Sequence, residues 1–204
     1  MNLTDRNPGN AVLAKRIFDG ARWHADAGIL FRNGRILELV RAGEVPSDWR
    51  QTALPKDCFL APGFIDLQVN GGGGVLLNEQ PTPEGMRAIA RAHRRYGTLA
   101  CLPTLITDTR EQMRSAIDAA RTVCGQDGIV GLHLEGPFIS PQRPGVHRVD
   151  RIARPGPADL ALLQELADVG RSLVTLAPEC VPQGFIRSLA ASGVRIAIGH
   201  SEAS

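Results

Sequence analysis

The sequence predicts an α/β fold of the barrel kind with a small β unit ahead of it, and three observations carry that prediction. Apolar runs suited to buried parallel strands recur after Pro62, at Phe64 to Asn70, Thr98 to Thr104, Ile129 to Glu135, Leu173 to Pro178 and Val194 to His200. Amphipathic stretches lie between them, so strand and helix alternate as in βαβ units. Polar residues gather at the C-terminal ends of the runs: Gln68 and Asn70, Thr104, Glu135, Glu179 and His200. That is the face on which (β/α)8 barrels keep their sites. A doubly wound sheet is the competing fold. It needs G-x-G-x-x-G leading straight into a helix, whereas "NGGGGVLLNEQPTPE" inserts a long polar loop first.

Each element has its own signal. Residues 1–60 read as a small β domain, because Ile29 to Phe31 and Arg35 to Val40 are short runs broken by "RNGR" and "RAGEVPSD", with Asn33-Gly34 as a tight hairpin turn. His24 reads as a surface residue of this unit. Residues 61–204 read as the barrel portion. Phe64 to Val69 has the composition of a buried strand, and Gly71 to Gly74 follow it. Those glycines lack the G-K-[ST] of a phosphate loop and allow close backbone approach instead. After "TPEG", Met86, Ile89, Ala90 and His93 share one helical stripe, so His93 reads as packing. Met113, Ile117 and Ala120 form the next stripe, capped by Thr107 or Asp108.

Composition excludes several functions. The 204 residues are 43% hydrophobic and 22% charged, enough apolar material for a real core. Net charge is +2 and no basic run is interleaved with aromatics, which points to a small-molecule partner rather than nucleic acid or a membrane surface. The polar N-terminus "MNLTDRNPGN", followed by Lys15 and Arg16, has no signal-peptide core and no spanning segment. Cys58, Cys101, Cys124 and Cys180 are scattered without C-x-x-C spacing, as expected for reduced, buried thiols in a cytoplasmic protein.

Side chains alternate along a strand, so Asp66, Gln68 and Asn70 share a face, as do His133 and Glu135, and Ile196, Ile198 and His200. A carboxylate closing an apolar strand, as Glu135 does in "GLHLEGPFIS", costs on the order of several kcal/mol unless a cation or hydrogen bonds satisfy it. His200 closes "VRIAIGHS" in the same way. Taken alone, the two are either ligands of a divalent metal or caps of loop amides. His147, in "RPGVHR", reads from its surroundings as an exposed loop histidine. His133 supports the site from deeper in the strand or packs in the core, and Glu179 either orients the site or makes a structural hydrogen bond.

In order and spacing, "APGFIDLQVNGGGG", "CLPTLIT", "GLHLEGPFIS", "RPGVH", "VTLAPE" and "IGHSEAS" resemble the N-acetylglucosamine-6-phosphate deacetylases of the amidohydrolase superfamily. The resemblance runs from about Arg16 onward and is specific from Pro62. It implies that Glu135 and His200 bind the catalytic metal, and that His147 faces the substrate amide or sugar with Val146 beside it for main-chain contact. Family members with H-x-H at the end of the first barrel strand resemble two-metal enzymes. Gln68-Val69-Asn70 matches the single-metal type, in which neutral amides hydrogen-bond around the site. The implied cofactor is one divalent ion, zinc first, with iron or another divalent ion as alternatives. The implied partner is an amino-sugar phosphate, in a homo-oligomer, and the reaction yields glucosamine 6-phosphate and acetate.

The family's third metal-binding His and its general-base Asp are expected beyond residue 204, together with the last strands of the barrel and the return strands of the small β-sandwich domain. The chain is therefore expected to be the N-terminal portion of a deacetylase, with about five of eight barrel strands, no catalytic base and no activity alone. Two alternatives stand beside it: another single-metal N-acyl amidohydrolase, and a non-catalytic barrel portion serving in binding or assembly.

Overall fold

A computed structural model describes residues 8–203. They form two compact units divided between Pro62 and Gly63.

The first unit is one sheet of four strands: β1 (Asn10–Phe18), β2 (Trp23–Arg32), β3 (Arg35–Arg41) and β4 (Arg50–Ala53), in the order β3-β2-β1-β4. Asn33 and Gly34 join β2 to β3 with φ of 51° and 72°, the two positive values that a type I′ hairpin turn requires. Ala14, Ile17 and Ala27 are buried at its centre. The sequence pattern marks β2 and β3 only, for physical reasons. Burial along β1 falls at Ala11, Ala14 and Ile17 rather than at every second residue, and every residue of β4 is exposed, so neither carries a period of two. His24 is not a free surface group. Its Nε2 lies 2.7 Å from Asp19 Oδ2, and this bond, with the Arg22 and Ala21 backbone N–H groups, holds the Asp19 carboxyl well below its ordinary range.

The second unit contains β5 (Phe64–Val69), a two-residue hairpin of β6 (Gly71–Gly72) and β7 (Val75–Leu76), α1 (Pro83–Arg94), β8 (Thr98–Ile106), α2 (Arg110–Val123), β9 (His133–Glu135), α3 (Pro157–Gln164), β10 (Leu173–Leu176), α4 (Phe185–Ala191) and β11 (Arg195–Ile198). Its main sheet runs β11-β10-β9-β8-β5 with every neighbouring pair parallel, a curled five-stranded half-barrel. Helices α1 and α2 bury Met86, Ile89, Ala90, Met113, Ile117 and Ala120 in one core with Leu105, Leu132, Leu134, Val174 and Leu176. The helix starts follow capping chemistry: Thr82 Oγ1 accepts the Gly85 N–H ahead of α1, and Pro83 takes the first turn, where its missing donor is no loss.

Several expectations are corrected here. The cap of α2 is Thr109, whose hydroxyl accepts the Gln112 N–H at 3.3 Å. Asp108 instead accepts from Asn78 Nδ2 at 2.9 Å, and Thr107 is buried. Strand β5 is not buried: Phe64, Ile65 and Leu67 are 67%, 68% and 56% exposed, because β5 ends the sheet with β8 as its one neighbour. The third barrel strand is regular only from His133, and Ile129 contributes a single bridge to Cys101. Cys58 is exposed, while Cys101 and Cys180 are buried, with burial pushing the Cys101 thiol up to about 11. Among the described residues no helix is long and apolar enough to cross a membrane.

Candidate metal centre

Three side chains meet where β9 and β11 end. Glu135, the last residue of β9, is buried, and its Oε1 lies 3.1 Å from His200 Nε2, just past the end of β11. His147 Nε2 lies 3.8 Å from Glu135 Oε2, and the rings of His147 and His200 are 4.4 Å apart. Ligand atoms of all three lie within 4.8 Å of one another.

The loop from Gly136 to Arg148 builds this arrangement. Its Ser140 N–H donates to the His200 carbonyl at 2.9 Å, and its Arg143 carbonyl accepts from the His200 ring at Nδ1, 2.8 Å away. Gly145, with φ of 55°, packs where a Cβ would stand 3.3 Å from His200 Cε1. His200 itself has φ of 51°, a left-handed conformation that a non-glycine residue holds only where its surroundings enforce it. The same loop ends in His147, which is buried. The expectation of an exposed loop histidine is therefore corrected, since the loop folds its own imidazole inward.

The His200 contacts decide its chemistry. A carbonyl only accepts, so Nδ1 carries a proton, and the other ring nitrogen, Nε2, faces a carboxylate oxygen 3.1 Å away. Two acceptors at that distance require a cation between them, either a proton or a metal ion. Two ligands of a tetrahedral ion with bonds near 2.0–2.2 Å stand about 3.3–3.6 Å apart, which the pair nearly matches. One carboxylate oxygen and imidazole nitrogen are donors that zinc-like ions accept. The Arg143 carbonyl is the outer partner that holds such an imidazole in its ligating tautomer.

Neighbouring groups complete the setting. Gln68 Nε2 donates to Glu135 Oε2 at 2.7 Å, and the acceptor-only carboxylate fixes which end of the amide faces it. The His147 imidazole beside it lowers the Glu135 carboxyl most, to about 2, against the opposing effect of burial, and His200 adds to the lowering. His133 sits behind the site, its Nε2 2.8 Å from Thr175 Oγ1 and its Nδ1 3.3 Å from Thr104 Oγ1, with burial pulling its pKa down. Glu179 accepts from Ser201 Oγ and the Glu202 N–H, both at 2.7 Å, so it ties the segment after His200. Asn70 accepts the Leu77 N–H through its carbonyl, and Val146 is 84% exposed. His93 Nε2 reaches the Gly71 carbonyl at 2.9 Å, a bond that its helical stripe does not foretell.

Comparison with known proteins agrees with these motifs. A Shewanella N-acetylgalactosamine-6-phosphate deacetylase is 45% identical over 153 residues, 71% of this chain and 37% of the relative. An N-acetylglucosamine-6-phosphate deacetylase of Haemophilus influenzae is 32% identical over 178 residues, 84% of this chain and 45% of the relative. The crystal structure of N-acetylglucosamine-6-phosphate deacetylase from Pasteurella multocida superposes with a TM-score of 0.86 at 30% identity, covering 96% of this chain and 52% of that one. The chain matches the amino-sugar-6-phosphate deacetylases over the part that it covers. No family model matches. The chain spans about half the length of these deacetylases or less, and Glu135, His147 and His200 lie within its share.

Proposed function

We propose that the chain is part of a metal-dependent amidohydrolase that removes the acetyl group from an N-acetylated hexosamine 6-phosphate. The observation that carries this reading is the convergence of Glu135, His147 and His200, whose ligand atoms lie within 4.8 Å of one another, in a half-barrel that superposes on a deacetylase. Glu135 and His200 would hold one divalent ion, zinc by donor type. Held there, such an ion would supply an acidified water and a polarised amide carbonyl. Gln68 keeps the carboxylate oriented, and His147 faces the substrate amide, with the Val146 backbone beside it.

The hydrolysis breaks the amide C–N bond and forms a C–O bond from water. One water proton ends on the departing amine, and the other is released from the acetic acid product. A general base would take the first proton during attack and return it to the departing amine. The whole protein would act in the cytoplasm as a homo-oligomer.

N-acetylglucosamine 6-phosphate is the first substrate to test. N-acetylgalactosamine 6-phosphate is the second, because the relative 45% identical to this chain is a deacetylase of that epimer. The test is acetate release from both phosphates, and from unphosphorylated N-acetyl sugars and N-acetyl amino acids, with zinc present. The chain is assayed alone and as part of any longer reading frame. Turnover of N-acetyl amino acids in preference to sugar phosphates would refute the substrate class, and zinc-independent turnover would refute the metal.

A further inference from the structure

The geometry points to Thr107 as the residue that decides what His147 does. We infer that Thr107 locks His147 as the Nε2–H tautomer, which makes it a hydrogen-bond donor to the substrate and withholds it from the metal. The donor role rests on the reading above; the tautomer does not.

His147 Nδ1 meets two groups of Thr107, the backbone N–H at 3.3 Å and Oγ1 at 2.7 Å. A backbone N–H only donates, so Nδ1 must present its lone pair, and the proton of the neutral ring sits on Nε2. The opposite tautomer would set two N–H groups head to head. The hydroxyl then donates to the same lone pair and makes the shorter bond. His200 is the mirror case: its Nδ1 faces the acceptor-only Arg143 carbonyl, so its Nε2 is the nitrogen left to share a cation with Glu135. Of two imidazoles whose rings lie 4.4 Å apart, one is built as a ligand and the other as a donor.

The hydroxyl owes its place to Gly136. A Cβ at that residue would stand 2.2 Å from Thr107 Oγ1, and its φ of 84° disfavours any side chain there. The glycine following Glu135 therefore leaves the gap into which Thr107 reaches toward His147. At 3.8 Å from Glu135 Oε2, the Nε2–H forms no full hydrogen bond with the carboxylate, so the donor remains available to an oxygen arriving beside the metal ligands. A carbonyl oxygen that gains negative charge during attack is what such a donor stabilises.

The test is tautomer-resolved NMR. The chain has five histidines, so 15N-histidine labelling and two-bond 1H–15N correlation spectra at mildly alkaline pH resolve each ring, with His147 assigned from its loss in His147→Gln. The expected pattern is Nε2–H for His147 and Nδ1–H for His200. Thr107→Val keeps the weak backbone N–H contact at 3.3 Å but loses the 2.7 Å hydroxyl bond that supplies most of the hold, so the His147 nitrogen shifts should move toward each other as the second tautomer becomes populated, and Thr107→Ser should restore the single form. Zinc titration should move His200 and leave the His147 tautomer in place, with zinc affinity changed less than about threefold in His147→Ala and more than tenfold in His200→Ala. An Nδ1–H form of His147 in the unaltered chain overturns the inference, and so does an equal loss of zinc affinity in the two alanine variants. Should Thr107→Val fail to fold, Thr107→Ala removes the hydroxyl without adding a methyl in its place, and an unchanged His147 pattern there counts equally against it. None of these readouts requires turnover, so an inactive chain leaves the tautomer assignment standing and a wrong tautomer leaves the hydrolase reading standing.

Discussion

At the scale of single residues, the proposed metal centre rests on Glu135 and His200. In Glu135→Gln the carboxylate that faces His200 Nε2 becomes a neutral amide, and in His200→Ala the lone pair is gone. Each variant is expected to lower zinc affinity by more than about tenfold, read by competition with a chromogenic chelator. Affinity retained in Glu135→Gln would mean that the cation is held elsewhere. His93→Gln should leave zinc binding unchanged and lower stability by about 1 kcal/mol, since it disturbs only the bond to the Gly71 carbonyl. Glu135 and His200 were legible in the sequence because each is a polar residue closing an apolar strand, where solvation alone cannot satisfy it. His147 was legible only through the "RPGVH" motif of the resemblance, because its burial comes from the fold of a loop with no periodic pattern. Thr107 was hidden for another reason: on sequence it reads, like Asp108, as a helix cap, a place that Thr109 takes, and only the structure shows its buried contact to His147.

At the scale of elements, Asp159 ties two helices together. Its Oδ2 accepts the Gly156 N–H at the start of α3, and its Oδ1 accepts from Arg110 Nε at 2.7 Å at the start of α2. Burial raises its pKa, but the Arg110 and Gly156 bonds outweigh burial and leave the pKa below its ordinary 3.8. A depressed carboxyl contributes stability that is present above its unfolded pKa and is lost as pH falls through the folded one. Asp159→Asn is therefore expected to destabilise the chain by about 1–3 kcal/mol at pH 7. The gap to the unaltered chain should narrow in urea unfolding below about pH 3.8, and a gap that widens in acid would reverse the assignment. The long amphipathic helices α1 and α2 were readable because their stripes at 3.6-residue spacing are buried as a stripe. Strand β5 misled because its apolar composition signals a buried strand, whereas exposure depends on how many neighbours the strand has.

At the scale of the whole chain, the sheet of the second unit ends in β5 and β11, each paired on one side among the described residues. Both end strands display apolar side chains: Phe64, Ile65 and Leu67 on β5, and Ile198, 69% exposed, on β11. An edge that combines free backbone groups with apolar side chains is a template for pairing with another chain, and natural edges are usually protected by charge, proline or a covering element. Neither Phe64–Val69 nor Arg195–Ile198 contains a proline, and the charged residues there are Asp66 and Arg195. The relatives are about twice as long as this chain. The 204-residue chain on its own is expected to associate as its concentration rises, to bind zinc weakly through two protein ligands, and to release no acetate from N-acetylglucosamine 6-phosphate. Light scattering over a concentration series checks the first point. Ile65→Lys and Ile198→Lys together should shift the onset of association to higher concentration, because a charge on each edge penalises strand pairing. Association that is indifferent to both lysines would place the contact on another surface, and a monodisperse monomer with steady zinc-dependent turnover would show that these residues suffice for the reaction.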